Sequence, residues 1–135
     1  MALRHYALGL WCLAGLYAQP AVAADELVIL TVDATFLETG MPLYAELDKQ
    51  ADALRAGADE DRRAQVDLAV ELRRSEVLTV MPDVIAEIAK AEDADLVIDR
   101  SVATRIQQKN AKDITAAVQA RLEAQFAGQK LETDP

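Results

Sequence analysis

The sequence predicts an α+β fold: a small body of about three strands, an antiparallel helical hairpin forming a short coiled-coil arm, and a C-terminal helix. Three observations carry this. Two short β-favouring runs, Leu27–Val32 and Leu96–Ile98, each end in an aspartate, Asp33 and Asp99. Between them lie two stretches of helically spaced apolar residues, joined by Ala56-Gly57-Ala58. After them Ile114, Val118, Leu122 and Phe126 recur at every fourth position, the spacing of one helix face.

The first segment stands apart from these elements. Arg4 and His5 precede a charge-free apolar stretch from Tyr6 to Tyr17, which is closed by Pro20 and the small residues Ala21-Val22-Ala23. A stretch that short does not span a bilayer, which takes about 20 residues, and the three-part order is that of an export signal. Residues 1–23 are therefore expected to be removed, with cleavage before Ala24 or Asp25. A lipid anchor at Cys12 is disfavoured because bulky Trp11 precedes it. Export removes the only His, Cys and Trp of the 135-residue chain. Losing Arg4 as well leaves 13 basic against 23 acidic side chains, a net charge of −10. The product is expected in the periplasm, without direct membrane insertion and without a disulfide. Its acidity excludes a nucleic-acid partner, which requires a basic face.

Each remaining element follows from local chemistry. Val28, Ile29, Leu30 and Val32 form a run with no polar face, read as a strand covered on both sides; Leu96, Val97 and Ile98 read likewise. Ala34 to Glu38 fits one helical turn, broken by Thr39-Gly40. Pro42 stands where a first helical residue should be, and Leu43, Leu47, Ala51 and Leu54 mark a narrow apolar stripe. Asp59-Glu60-Asp61 opens the return helix with negative charge at its N-terminus. That helix carries Val66, Val70, Val77, Met81, Val84, Ile85 and Ile88 inward as far as about Ala91, with a kink or break expected near Val80-Met81 because of Pro82. Val102, Thr104 and Ile106 alternate with Ala103, Arg105 and Gln107, predicting a third, half-exposed strand as a hairpin partner. Asp113 or Thr115 supplies the cap oxygen of the last helix. The domain thus covers residues 24–127, with 24–41 and 92–127 as the body and 42–91 as the hairpin. The polar segment 128–135 is expected to be disordered.

The chemistry of sites is sparse. Ser75 and Ser101 have no histidine to activate them after export. Zinc ligation needs Cys or His, and the acidic group Glu92, Asp93, Asp95 and Asp99 lacks the spacing of a calcium loop. Asp33 and Asp99 would have to meet to act as an acid/base pair. The Arg62-Arg63 and Arg73-Arg74 pairs, eleven residues apart, share a helix face and read as salt-bridge partners of Asp59, Glu60, Glu71 and Glu76. No Gly-rich phosphate loop is present. The expectation is a protein with no enzymatic activity, no metal and no cofactor.

With signal, strand, charged hairpin, strand pair and capped helix in this order, the chain resembles the Skp/OmpH family of periplasmic chaperones. The residues that carry the likeness are DLVIDRSV (95–102) and KDITAAVQARL (112–122), with TVDATFLETG (31–40) a weaker match. The resemblance implies a homotrimer whose shared β body contains Val28, Ile29, Leu30, Val32, Leu96, Val97 and Ile98. It also implies helical arms around unfolded outer-membrane proteins. The first arm helix, Leu43 to Ala56, is only roughly 21 Å long, and the acidic balance differs from the basic chaperones of the family. The expected function is an ATP-independent holdase, with Val66, Val70 and Leu72 as candidate client contacts. The alternative is a trimeric scaffold or adaptor for one folded envelope partner.

Overall fold

The computed structural model describes residues 27–133; the segment read as an export signal and its expected cleavage site lie outside them. The described residues are α+β and mostly helical. Strand β1 (Ile29–Val32) lies at the centre of a three-stranded sheet, with β2 (Leu96–Asp99) on one side and β3 (Lys112–Asp113) on the other. Both pairings are parallel, with Ile29 opposite Leu96 and Val32 opposite Asp99, and Leu30 opposite Lys112. Parallel neighbours need long connections. The first is a wide helical turn α1 (Phe36–Gly40) followed by helices α2 (Pro42–Arg55) and α3 (Glu60–Ala91). β2 and β3, which flank β1 and do not pair with each other, are joined through the short helix α4 (Arg100–Arg105), and helix α5 (Thr115–Phe126) follows β3.

The sheet residues point to two sides. Leu30, Val32 and Val97 join α1, the second half of α3 and α5 in the main core, where Leu37, Val77, Val118 and Leu122 are fully buried. Ile29, Leu96 and Ile98 face a smaller cluster closed by Ala103 of α4. Of the seven residues expected in the body, Val28 alone is exposed, at 42%; it precedes the strand and donates its N–H to Asp95 Oδ2 at 2.8 Å. The other six are buried within a single copy of the chain.

Two expectations need correction. Residues 102–107 do not form a strand: Val102 and Thr104 lie in α4, and Ile106 is its C-cap. The Asp99 carboxylate accepts the Ser101 N–H at 2.8 Å, and the Thr104 hydroxyl donates to the Arg100 carbonyl at 3.0 Å, so the segment starts helical and stays so. Over six residues, alternation cannot be told from a helix that buries one residue, here Ala103. The third strand is instead Lys112–Asp113, two exposed residues visible only through their pairing with β1.

The second correction concerns the break expected near Pro82, which does not occur. Helix α3 runs 32 residues without a break, about 48 Å, with Pro82 inside it. Burial of Val77, Met81, Val84 and Ile85 on both sides of the proline holds the backbone helical despite the lost hydrogen bond.

Capping and turn chemistry fix the remaining ends. Asp59 Oδ1 accepts the Arg62 N–H at 2.8 Å to start α3. Gly57 turns the chain between α2 and α3 at φ 71°, a left-handed value at which glycine carries no Cβ penalty. Arg55–Asp67 at 2.7 Å and Arg74–Asp48 at 2.8 Å tie α2 and α3 together in antiparallel register.

Candidate functional site

The seam between α2 and the first half of α3 is the candidate site. Leu47 and Ala51 from α2 meet Val66 and Val70 from α3, and a fifth buried residue, Leu131, comes from the C-terminal tail. The tail expected to be disordered is therefore seated as far as Thr133. Leu131 is 7% exposed, and it is the one aliphatic residue of the segment Gly128–Pro135.

Polar contacts hold the same segment. The Leu131 N–H donates to Gln50 Oε1 at 2.8 Å. Arg73 Nη1 donates to the Gln129 carbonyl at 3.0 Å, and Arg62 Nη1 to the Thr133 carbonyl at 3.3 Å. All three reach main-chain atoms of the tail. Arg73 also pairs with Glu76 at 3.2 Å and lies 6.0 Å from the Phe126 ring centre. Arg74 turns the other way, to Asp48 and over the Tyr44 ring at 5.2 Å. Arg73 and Arg74 thus serve different neighbours instead of forming one basic stripe. Beside the seated tail an open cleft of about 440 Å³ remains between Pro42, Leu47, Arg73, Phe126 and Lys130.

The three candidate client contacts do not come together. Val66 and Val70 lie in the seam under Leu131, whereas Leu72 is 57% exposed and shares the opposite face of α3 with exposed Leu68. Gln50, Arg62, Arg73 and Leu131 were not singled out from the sequence as tail contacts. The signal for Leu131 was its isolation as an aliphatic residue within a polar stretch.

A second constellation sits at the C-terminal ends of the strands, where Asp33, Asp99 and Asp113 follow or end β1, β2 and β3. Arg100 binds Asp113 Oδ2 through Nε at 3.1 Å and Nη2 at 3.0 Å, and reaches Asp33 Oδ2 through Nη1 at 3.2 Å. Asp33 Oδ1 accepts the Phe36 N–H at 3.0 Å. Asp99 accepts the Ala34 N–H at 2.9 Å, together with the Ser101 N–H and hydroxyl. Asp113 accepts the Thr31 hydroxyl at 3.0 Å and the Thr115 N–H at 2.9 Å. Asp113 thus provides the oxygen that caps the start of α5, although Ile114 occupies the cap position. The Thr115 hydroxyl accepts the Asp33 N–H at 2.8 Å instead.

Partial burial pushes the Asp99 carboxyl up, but hydrogen bonds from Ser101 and Ala34 and the Arg100 charge outweigh it and hold the group below its ordinary range. Asp113 is lowered in the same way: burial opposes, while Thr115, Arg100 and Thr31 prevail. Asp33 and Asp99 are brought to the same end of the sheet, bridged by the Ala34 backbone. A general acid must keep its proton near neutrality, and Asp99 is held ionised. The arrangement serves as a clasp that fastens the strand ends to α4 and α5.

Among the described residues no group of His, Cys, Asp or Glu is placed to hold a metal ion, and no helix is long and apolar enough to cross a membrane. Comparison with protein-family models, curated proteins and solved structures returns no match.

Proposed function

We propose that this chain is an ATP-independent periplasmic holdase that binds unfolded outer-membrane proteins along its helical hairpin. The observation that supports this reading is the seam itself. A segment without secondary structure lies in it, held by one aliphatic side chain and by hydrogen bonds to main-chain atoms. Every unfolded polypeptide offers those two kinds of contact, whatever its sequence. The acidic surface disfavours acidic clients and leaves basic stretches attracted.

Export of residues 1–23 and assembly into a homotrimer belong to this proposal. β2 lies at the edge of a sheet ordered β2-β1-β3, and strand edges of that kind are what subunits pair through. The proposal is tested by the solution mass of residues 24–135, measured by light scattering with and without a urea-diluted outer-membrane barrel protein. A trimer that keeps the barrel soluble supports it; a trimer that lets the barrel aggregate removes the holdase.

One observation favours the alternative, a scaffold for a single folded envelope partner. Leu68 and Leu72 stand exposed one turn apart on α3, with Glu71 three residues after the first and Glu76 four after the second. That reading expects one stoichiometric, salt-sensitive partner in a periplasmic pull-down instead of many barrel clients.

A further inference from the structure

We infer that the α2–α3 seam is a binding groove for an extended peptide with a branched aliphatic anchor, and that residues 128–133 are its resident, displaceable occupant. The tail would then be an intramolecular competitor that must swing out before a client enters. The client's nature rests on the holdase reading; the groove and its occupant rest on the contacts below.

The tail is held as a ligand would be. Its single aliphatic side chain, Leu131, enters the seat made by Leu47, Ala51, Val66 and Val70. On either side of that anchor Arg73 and Arg62 grip the carbonyls of Gln129 and Thr133, and Gln50 takes the anchor's own N–H. The two arginines are eleven residues apart on α3, roughly 16 Å along the axis. The carbonyls they hold are four residues apart, about 13 Å when fully extended. The order of the grips, Arg73 on Gln129 and Arg62 on Thr133, makes the tail run antiparallel to α3, and their separation matches an extended backbone. Leu131 is the one apolar side chain the tail buries, the Thr133 hydroxyl being shielded as well but without a hydrogen-bond partner, so the groove selects for an aliphatic anchor and main-chain contacts.

Two further features make the occupant removable. Gly128, at φ 75° with its Cβ position open, connects α5 to the tail through a left-handed residue spanned by two hydrogen bonds, from the Gln129 N–H to the Phe126 carbonyl at 3.2 Å and from Gln129 Nε2 to the Gln125 carbonyl at 3.0 Å. A hinge there moves the tail without disturbing Phe126 in the main core. The cleft of about 440 Å³ beside the tail gives an incoming chain a first foothold before Leu131 leaves. Tethering sets the effective concentration of the tail at about millimolar, so an external peptide of the same chemistry competes poorly until the tail is released.

The test compares the full exported chain with its Leu131→Asp variant, titrated with a fluorescent peptide of residues 127–133 and with the same peptide carrying aspartate in place of its leucine. Burying a carboxylate in the apolar seat is unfavourable, so the variant's tail stays out. The expected result is at least about tenfold tighter binding of the leucine peptide to the variant than to the parent, and no binding of the aspartate peptide to either. A Leu131→Ala variant keeps the main-chain contacts and should give a smaller gain in the same direction. Equal affinity for parent and variants, or no binding to variants whose circular dichroism matches the parent, overturns the inference. Barrel aggregation assays on the same proteins separate the two readings. A peptide gain without aggregation suppression in any of them upholds the groove and removes the holdase. Equal suppression by parent and variants without a peptide gain upholds the holdase and removes the groove as its site.

Discussion

Helix α3 is continuous, yet its two halves have different neighbours. From Val77 to Ile88 it is covered by α5, the sheet and α1, in a core of fifteen buried residues drawn from six elements and the loops beside them. From Val66 to Val70 it is covered by α2 and then only by the tail, in a cluster of five buried residues, one of them Leu131. The helical backbone is the same in both halves, so the contrast lies in what forms the third side. Regions with few buried apolar contacts open at lower free energy than the core they border. The second half of α3 thus belongs to the rigid body, and the first half to a seam whose cover can leave.

The contrast is sharpest for two buried leucines. Replacing Leu122 by alanine removes a fully buried side chain from the body, and should lower global stability by about 3 kcal/mol in urea denaturation. Replacing Leu131 by aspartate should cost about 1.5 kcal/mol, the worth of a roughly tenfold docking equilibrium and about half the loss at Leu122, because the tail detaches while the body stays folded. Similar losses for the two would break the comparison. Pro82 lies on the body side, where the helix tolerates a missing hydrogen bond to the Leu78 carbonyl. Pro82→Ala restores that donor and should raise stability by about 1 kcal/mol, read by the same titration. At the far end of the seam, Gly57→Ala places a Cβ at φ 71° where no neighbour offsets the strain. It should cost about 1 kcal/mol, with the loss confined to amide protection around the turn between α2 and α3.

The smallest effect concerns the strand-end clasp and acid. Asp99 and Asp113 are both lowered from 3.8, so their contribution to stability is fully present above that value and is lost as the pH falls through their folded-state values. The body should weaken below about pH 4. Asp113→Asn should flatten that acid-side slope, measured as the urea midpoint between pH 5 and 2. An unchanged slope would place the acid sensitivity elsewhere.

How much of this was legible depends on element length. Ile114, Val118, Leu122 and Phe126 repeat a helical spacing over more than three turns, and all four are buried, Ile114 as the cap residue of α5 and the other three within it. The aliphatic runs of β1 and β2 were equally plain, because buried parallel strands carry no polar alternation. Residues 102–107 misled because six positions are too few to distinguish a strand from a short helix capped by Asp99. Lys112–Asp113 was unreadable as a strand: it is exposed, two residues long, and defined by where β1 lies. Of the site, Val66 and Val70 were legible as inward-facing residues. What covers them was not, because Gln50 and Leu131 meet across 81 positions and nothing local in either segment encodes the other. Leu72 was grouped with the two valines as a hydrophobic residue of the same stretch, but its position puts it on the opposite face of the helix.

The central claim is that the tail leaves the seam without the body unfolding, and native-state amide hydrogen exchange on residues 24–135 tests it most directly. The Leu131 amide, held by Gln50 Oε1, is compared with the Leu122 amide in the middle of α5. The account expects Leu131 to exchange through a local opening, orders of magnitude faster than Leu122 and insensitive to low concentrations of urea, while Leu122 exchanges only by global unfolding. If both amides showed the same protection and the same urea dependence, the tail would be a fixed part of the core, and the seam would not be a site that opens.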